Sequence, residues 1–296
     1  MIPKPLTPLS DSELPFITAV IPCRNEEKHL GACLESIVNN HYPIEKLEVL
    51  VVDGLSEDRS RTIVAEYHAR FPHIRLVENP KKILAAAWNN GVKEANGEIV
   101  FAMNAHAEVE DGYFRKCVEY LKDYEADCVG PVIITHPQED TFAGKLIATA
   151  LSHPFGVGNS RFRTGTSEPT WVDTVHLGAY KKEVFQKVGF YNEELVRSQD
   201  FDFHVRLHKM GGKILLVPEI KIHYYTRSNV KMFLKYGFIN GYWATKPYYY
   251  GAFVAGIRHL VPMFFFLSLL LPCLVSPWVA GALWLPAFIL ALYFAC

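Results

Sequence analysis

The sequence predicts an α/β fold with a mainly parallel sheet, followed by a hydrophobic C-terminal segment. Short apolar runs alternate with segments of helical periodicity along residues 16–103, as in sheets whose strands are joined by crossover helices. All 30 basic and 31 acidic residues lie within the first 258 of the 296 residues, and the remainder carries none. The net charge of −1 disfavours a protein that binds nucleic acid through bulk charge.

The predicted elements alternate strictly over the first third of the chain. Strands are expected at residues 16–21, 47–52, 74–77 and 98–103. Helices are expected at residues 30–38, 60–70 and 83–95. Ligands of such sheets bind beyond the carboxyl ends of the strands. The polar residues that follow the strands are therefore the candidate site, namely 24–26, 53–58 and 104–108.

The middle of the chain has a mixed pattern. Residues 141–172 predict a short apolar helix and then a loop, 153–171, which contains His153, Arg161 and Arg163. A helix is expected at 199–210 and a strand at 213–217.

Residues 229–250 are rich in aromatic side chains with interleaved lysines. This pattern is typical of a segment that lies at the headgroup level of a membrane. An ordinary core helix with exposed tyrosines is the alternative.

The uncharged segment 259–296 is the candidate membrane anchor. As a helix it would extend roughly 57 Å, whereas the hydrocarbon core of a bilayer is roughly 30 Å thick. Two tight spans with a turn near Ser276, Pro277 and Gly281 are therefore predicted, and one long tilted helix or a re-entrant hairpin are the alternatives. The apolar run continues to Cys296, which leaves further spans as an open expectation.

The basic residues Lys235, Lys246 and Arg258 precede this segment, which by the positive-inside rule places the polar domain in the cytoplasm, at the cell membrane. The N-terminus lacks the apolar core of a signal peptide. The predicted organisation is an extension at 1–15, a polar domain at 16–227, an interfacial segment at 228–258 and the anchor.

Two segments carry polar residues directly after predicted strands. IPCRNEEKHL at 21–30 places Asn25-Glu26-Glu27 where they could hold a base or ribose, or simply begin a helix. VVDGLSEDRS at 51–60 places Asp53 at the end of a buried strand, where it could accept a hydrogen bond from a nucleobase or a ribose hydroxyl. Asp58 has a simpler explanation as the N-cap of the following helix.

Together with NPKKILAAAWNNGVKEANGEIVFAMNAHAEV at 79–109, these blocks resemble the family 2 glycosyltransferases. The segments VDTVHLGAYKKEVFQKVGFYNEEL at 172–195 and RHLVP at 258–262 look most like the membrane-anchored, succinoglycan-type members. The resemblance implies the GT-A fold, with a mixed, mainly parallel sheet, and a nucleotide-sugar donor. The donor-binding residues that it implies are Pro22, Arg24, Glu26, Asp53, Asn89 and Asn104.

The resemblance also implies a divalent metal, Mn²⁺ or Mg²⁺, at an Asp-x-Asp motif. Here that place reads Asn104-Ala105-His106, a departure from the pattern. His106 is the candidate ligand, and neutral imidazole suits Mn²⁺ better than Mg²⁺. Glu108 could add a carboxylate. The alternative is that His106 is a polar residue that binds no metal.

The catalytic base that the resemblance implies is Asp200, in RSQDFDFHVRL at 197–207. Inverting displacement needs a carboxylate beside the acceptor hydroxyl, on the face opposite the leaving group. A helix N-cap is the alternative role of Asp200, and Asp202 is the fallback base. The preceding Gln199 replaces the family's Glu.

The expected activity is inverting transfer of a sugar from a nucleotide-diphosphate donor, UDP-linked by expectation, to a polyprenyl-linked saccharide at a membrane. The Gln-x-x-Arg-Trp motif of processive synthases is missing, which favours addition of a single sugar. A polyprenyl-phosphate sugar transferase and a non-catalytic scaffold that binds nucleotide sugar are the alternatives. The residues expected to contact the acceptor or a diphosphate are Arg161, Arg163, Gln199, Arg206 and Arg227.

Overall fold

The computed structural model describes residues 6–226, 229–246, 249 and 261–295. The chain divides into two compact units, Met1–Ala252 and Phe253–Cys296. The first unit holds the sheet and its helices, and the second holds two apolar helices.

The described residues form strands and helices in the following order. The strands are β1 (Ile17–Cys23), β2 (Leu47–Asp53), β3 (Ile74–Glu78), β4 (Ile99–Ala102), β5 (Ala107–Val109), β6 (Cys128–Pro137), β7 (Thr170–Trp171), β8 (Gly178–Lys181) and β9 (Ile214–Thr226). The helices are α1 (Leu30–Val38), α2 (Ser60–Arg70), α3 (Leu84–Glu94), α4 (Tyr113–Asp123), α5 (Phe142–Ser152), α6 (Pro154–Val157), α7 (Arg161–Thr164), α8 (Lys182–Val188), α9 (Gln199–Lys209), α10 (Val230–Ala244), α11 (Val261–Val275) and α12 (Trp284–Ala295). A short 3₁₀ helix, Ile44–Lys46, precedes β2.

The sheet is mixed, in the order β3-β2-β1-β4-β8-β6-β9-β5, with β7 paired to β9. The first four strands are parallel, as the alternation of strands and helices predicts. β8 runs antiparallel between β4 and β6, and β5 and β7 run antiparallel to β9. The carboxyl ends of β1, β2 and β4 thus share one edge with the start of β8.

Both faces of the sheet are covered, because side chains that alternate along a strand enter two separate cores. Ile17, Ala19 and Ile21 of β1 pack with α1 and α4, whereas Val20 packs with α3 on the other face. Every residue of β2 is buried. This burial on both faces explains why the strands appear in the sequence as continuous apolar runs.

The predicted elements are confirmed up to β4, and the later part of the chain differs from expectation. The predicted loop 153–171 contains two one-turn helices, α6 and α7, and the short strand β7. The strand predicted at 213–217 continues to Thr226, because β6 and β5 pair with it along its second half. These pairings carry β9 to the edge where the other strands end.

Gly97 is fixed by a close approach of two backbone segments. A Cβ atom at this position would lie 2.5 Å from the backbone N of Thr18 and 2.6 Å from the carbonyl carbon of Ile17. The N–H of Gly97 donates to Thr18 Oγ1 at 2.9 Å. Any side chain would therefore push the start of β4 away from β1.

We expect Gly97→Ala to lower the stability by about 1–3 kcal/mol, the usual cost of forcing atoms into a packed site. Thermal unfolding of the full chain measures this change. Gly31→Ala is the matched control, because a Cβ atom there meets nothing within 4 Å and alanine favours the helix. Equal unfolding midpoints for the two variants would contradict the packing described here.

The C-terminal unit contains α11 and α12, whose rings Phe265 and Tyr293 pack with centroids 5.2 Å apart. The chain turns between Val275 and Trp284, where the sequence predicts a turn. α11 has 15 residues and α12 has 12, and within the described parts of the chain no helix is long and apolar enough to cross a membrane. The predicted pair of spans is therefore not supported by the structure.

α10 occupies part of the predicted interfacial segment, the rest of which lies largely outside the described residues. Leu234, Phe238 and Tyr242, spaced four residues apart, are 66%, 81% and 54% exposed. The opposite face turns Tyr236 and Asn240 towards a cavity. α10 is thus a helix with an exposed apolar face, and the predicted position of residues 229–250 at a membrane surface stays a prediction.

Candidate active site

The loops that follow β1 and β2 are joined by hydrogen bonds from their own polar residues. The N–H of Asn25 donates to Ser56 Oγ at 2.9 Å, and the N–H of Glu27 donates to Asp58 at 3.0 Å. Asn25 has φ 57°, a left-handed conformation that asparagine tolerates better than most residues. These contacts shape the rim of a cavity, and Glu26 lines that cavity.

Glu26 and His106 form a pair at the cavity wall, although 80 residues separate them. His106 Nδ1 lies 3.3 Å from Glu26 Oε1, and the two side chains are 27% and 24% exposed. The His106 ring meets the ring of Tyr224 edge-on, with centroids 5.1 Å apart. A carboxylate and an imidazole that a ligand can reach are therefore in contact at the sheet edge.

Asn104, His176 and Asp200 form a second group. Because β4 and β8 are antiparallel neighbours, with Ala102 opposite Gly178, the second residue after β4 meets the second residue before β8. Asn104 Nδ2 lies 3.4 Å from His176 Nε2, and His176 Nδ1 lies 3.6 Å from Asp200 Oδ2. The start of α9 supplies Asp200, whose side chain is 24% exposed.

The environment of Asp200 keeps it ionised. Burial acts to raise the pKa of Asp200, but the interaction with His176 and a hydrogen bond from the N–H of Phe201 outweigh it and hold the pKa below its usual value. Burial lowers the pKa of His204 to about 4. His204 forms hydrogen bonds with Thr174 Oγ1 at 2.9 Å and with the Tyr180 hydroxyl at 2.7 Å. Asp200 is therefore a carboxylate at neutral pH, beside a neutral buried imidazole.

Arg163, on α7, brings positive charge to the same region. Its guanidinium lies 5.7 Å from the ring centroid of Phe162 and 5.9 Å from that of Tyr224. Nη1 is buried and has no hydrogen-bond partner among the described residues. Burial lowers the pKa of Arg163, and the charge of Asp200 acts in the opposite direction. An arginine still remains charged at neutral pH, so Nη1 of Arg163 is a buried donor without an acceptor in the described part of the chain.

A cavity of about 880 Å³ lies at the same edge; Glu26, His106 and Arg163 line it, whereas Asn104, His176 and Asp200 do not. Of the predicted site residues it brings together Arg24, Glu26, His106 and Arg163. Its other charged and aromatic lining residues include Lys28, His29, Asp58, Arg197, Tyr224, Tyr225, Phe233 and Tyr236. Its volume and mixed charge suit a polar ligand larger than a single sugar.

Asp53 and Asn89 lie apart from this cavity, in structural contacts. Asp53 is 1% exposed, and its carboxylate accepts from the N–H and the hydroxyl of Ser56. Asn89 is 2% exposed and exchanges two hydrogen bonds of 2.9 Å with the backbone of Tyr191. The contacts give both residues a supporting role, and their predicted contact with a donor stays a prediction.

Arg206 and Asp202 also serve the framework. Arg206 donates to Asp202 Oδ2 at 2.9 and 3.0 Å and to the carbonyl oxygens of Val188 and Phe190. Asp202, the predicted fallback base, is 2% exposed and is held in this ion pair, so it is not placed to reach an acceptor. Gln199 is also buried, and its Oε1 has no hydrogen-bond partner among the described residues.

Three predicted residues remain. Pro22 lies in β1, paired with Val52. Arg161 is exposed at the start of α7. Arg227 lies outside the described residues.

A match to a protein-family model shows to which family the chain belongs. The glycosyl transferase family 2 model matches residues 18–189, which is more than half of the chain. The chain belongs to glycosyl transferase family 2. It is therefore a glycosyltransferase of the GT-A type, and the Asn104–His176–Asp200 group and the cavity lie at the edge where this fold binds its substrates.

Two relatives extend the family 2 match almost to the whole chain. A Methanococcus voltae protein, named dolichyl N-acetyl-alpha-D-glucosaminyl phosphate 3-beta-D-2,3-diacetamido-2,3-dideoxy-beta-D-glucuronosyltransferase, is 31% identical over 271 residues, covering 88% of this chain and 82% of the relative. The succinoglycan biosynthesis protein ExoA of Rhizobium meliloti is 30% identical over 247 residues, covering 82% and 73%. The resemblance to succinoglycan-type members is confirmed.

A solved structure shows the same fold. The Pyrobaculum calidifontis mannosyltransferase PcManGT, in complex with GDP-Man and Mn²⁺, superposes with a TM-score of 0.64 at 21% identity, covering 99% of this chain and 79% of that one. At this identity the likeness supports the fold alone.

The family 2 site contains residues that sequence reasoning missed. His176 contacts Asp200, Tyr224 contacts the rings of both His106 and His176, and Arg197 lines the cavity. Arg197 donates to Asn240 Oδ1 at 2.6 Å. The one available signal was the place of His176 two residues before the strand GAYK, since residues at strand ends are candidates for the site.

The metal expected of family 2 has a restricted set of ligands here. Among the described residues no group of three or more His, Cys, Asp or Glu side chains could hold a metal ion. His106 and Glu26 provide two such side chains. A carboxylate that engages one imidazole nitrogen orients the other for a metal, so the pair fits a cation that is held mostly by the donor diphosphate.

Proposed function

We propose that this family 2 enzyme transfers one sugar, with inversion, from a nucleotide-diphosphate donor, preferentially UDP-linked, to a polyprenyl-linked saccharide of a cell-surface glycan. The observation that carries the proposal is Asp200, an ionised carboxylate at the sheet edge, with Asn104 and Arg163 nearby. The Methanococcus voltae relative, whose name describes a dolichyl-linked acceptor, supports this class of acceptor, and ExoA, a succinoglycan biosynthesis protein, supports a role in glycan synthesis.

The reaction follows from these groups. Asp200 takes the proton of the acceptor hydroxyl while the hydroxyl oxygen forms a bond to C1 of the sugar. The bond between C1 and the diphosphate oxygen breaks, and the nucleoside diphosphate leaves with the electron pair. Arg163 supplies a charged donor to a phosphate oxygen of the lipid-linked acceptor, which fits the absence of a partner for its Nη1 among the described residues.

We propose that the acceptor reaches the site from a membrane surface, with the sheet unit in the cytoplasm. The support is α10, which lines the cavity with one face and exposes Leu234, Phe238 and Tyr242 on another. Aromatic rings with interleaved lysines suit a headgroup layer. A lipid-borne saccharide could then enter the cavity while its chain stays in the lipid.

His106, oriented by Glu26, is the proposed metal ligand. A divalent cation bound there would offset the negative charge of the diphosphate leaving group. We expect His106→Ala to raise the Mn²⁺ concentration needed for half-maximal transfer by about 10–100-fold.

Titration of transfer with Mn²⁺, together with Mn²⁺ binding followed by electron paramagnetic resonance, measures this effect. The matched control is His29→Ala. His29 also lines the cavity but packs against Tyr225 and contacts Gln138, and its Mn²⁺ dependence should equal that of the wild type. An unchanged Mn²⁺ requirement in His106→Ala would remove the metal role of His106.

The test of the function is a transfer assay with the full chain in membranes, supplied with labelled UDP- and GDP-sugars. Two acceptors are compared, polyprenyl phosphate and polyprenyl-diphosphate saccharide. Transfer to the saccharide supports the proposal, and transfer only to bare polyprenyl phosphate supports the polyprenyl-phosphate transferase. Donor binding without any transfer across the panel would favour a scaffold.

A further inference from the structure

His176 occupies a position between the donor side and the base side of the site. Its ring lies parallel to that of Phe162, with centroids 6.2 Å apart, and edge-on to Tyr224 at 6.1 Å. The two rings hold the plane of the imidazole. Its nitrogens then face Asn104 on one side and Asp200 on the other.

The two neighbours of His176 select one tautomer. Nε2 faces the amide nitrogen of Asn104, a group that only donates, so Nε2 must accept and carries no proton. A neutral imidazole then carries its proton on Nδ1, which lies 3.6 Å from Asp200 Oδ2, an acceptor. Both contacts are satisfied by this one arrangement.

We propose that His176 is a positioning residue for Asp200, and that Asn104 fixes it as the Nδ1–H tautomer. The inference rests on the proposed role of Asp200 as base. The Nδ1–H group directs one carboxylate oxygen, Oδ2, while the other, Oδ1, accepts from the N–H of Phe201 and keeps a lone pair that takes the proton of the acceptor hydroxyl. His176 keeps its own proton throughout the reaction. The distance of 3.6 Å is slightly longer than a hydrogen bond, and such contacts shorten when substrate binds.

The arrangement also connects donor binding with the base. Asn104 lies two residues beyond the end of β4, at the edge where family 2 donors bind, and Asp200 is the second residue of α9. His176 is the only residue that the described contacts place against both side chains. A donor that contacts Asn104 would thereby fix the imidazole and, through it, the carboxylate.

Two substitutions separate positioning from packing. The amide nitrogen of Asn stands where Nδ1 stands, so His176→Asn retains a donor to Asp200. The amide of Gln reaches the place of Nε2, so His176→Gln retains a group beside Asn104 but loses the donor to Asp200. The two variants are similar in polarity and leave cavities of similar size.

We expect His176→Gln to lower kcat by about 100-fold, the usual cost of misplacing a catalytic group by about 1 Å. The KM for the donor should change by less than about threefold, because donor contacts remain. His176→Asn should retain kcat within about fivefold of the wild type. Any other order of the two variants, at equal unfolding midpoints, overturns the proposal.

A spectroscopic measurement tests the tautomer directly. In the full chain with ¹⁵N-labelled histidine in detergent, the His176 signals should show a protonated Nδ1 and a bare Nε2. A protonated Nε2 would overturn the assignment. The base is tested separately: if Asp200→Asn retains transfer, the proposed function loses its base, whereas an inactive Asp200→Asn with a fully active His176→Gln refutes only the positioning role.

Discussion

Asp200→Asn is expected to lower the rate of sugar transfer by about 10²–10⁴-fold, the contribution of a well-placed general base. Asparagine keeps the size and one acceptor oxygen of the side chain but cannot take a proton from the acceptor. The hydrogen bond from the N–H of Phe201 to Asp200 Oδ1 can persist. Transfer assayed with saturating donor and acceptor measures the effect.

Two controls make this result specific. Donor affinity, measured by calorimetry, should stay within about threefold of the wild-type value, because a group that acts only in the transition state does not bind the ground state. The unfolding midpoint should also stay close to that of the wild type. Retained transfer would contradict the role of Asp200 as base, and lost donor binding would show that Asp200 does more than accept a proton.

The second large effect is expected at Arg163. Arg163→Met keeps an unbranched apolar side chain, about as long as the aliphatic part of arginine, and removes the guanidinium with its buried Nη1. Because a charged hydrogen bond is worth about 1.5–3 kcal/mol, the KM of the lipid-linked acceptor should rise by about 10–100-fold. Initial rates at varied acceptor concentration, with saturating donor, measure this change.

Arg161→Met is the matched comparison, since Arg161 lies two residues away on α7 and is exposed. Its acceptor KM should change by less than about threefold, as for a charge in solvent. A larger effect at Arg161 than at Arg163 would show that the acceptor contacts the outer face of α7. If both variants have the acceptor KM of the wild type, α7 does not take part in acceptor binding.

The first part of the fold could be predicted because local signals and the final structure agree there. Buried parallel strands appear as apolar runs such as Leu47–Asp53, and the helices between them keep their periodicity. The position of β8 could not be predicted in this way. It enters between β4 and β6 as a four-residue antiparallel strand, and only pairing with distant strands defines it.

The sequence located the edge of the site but not the partners within it. Asp53 and Asn89 fit the family pattern, yet their polar atoms hold Ser56 and Tyr191. Asn89 and Tyr191 are 102 residues apart, and no local pattern reveals such a contact. The contact between Asn104 and His176 is also distant in sequence and could not be predicted locally. It gives a physical account of an asparagine at the family's aspartate position.

The apolar C-terminal segment shows a similar limit. Composition identified the segment, and Ser276 to Gly281 marked the turn that separates α11 from α12. Composition did not fix where α11 ends and α12 begins, because the segment between them is also largely apolar. The two helices are shorter than the roughly 20 residues that a span requires.

The anomeric configuration of the product tests the central claim most directly. The full chain is incubated with one α-linked nucleotide sugar and the acceptor that it uses, and the product is examined by nuclear magnetic resonance. Single displacement with Asp200 as base predicts one added sugar in the β configuration. An α-linked product, or a sugar bound covalently to the protein, would contradict the mechanism, since retention requires two displacements or a nucleophile in place of a base.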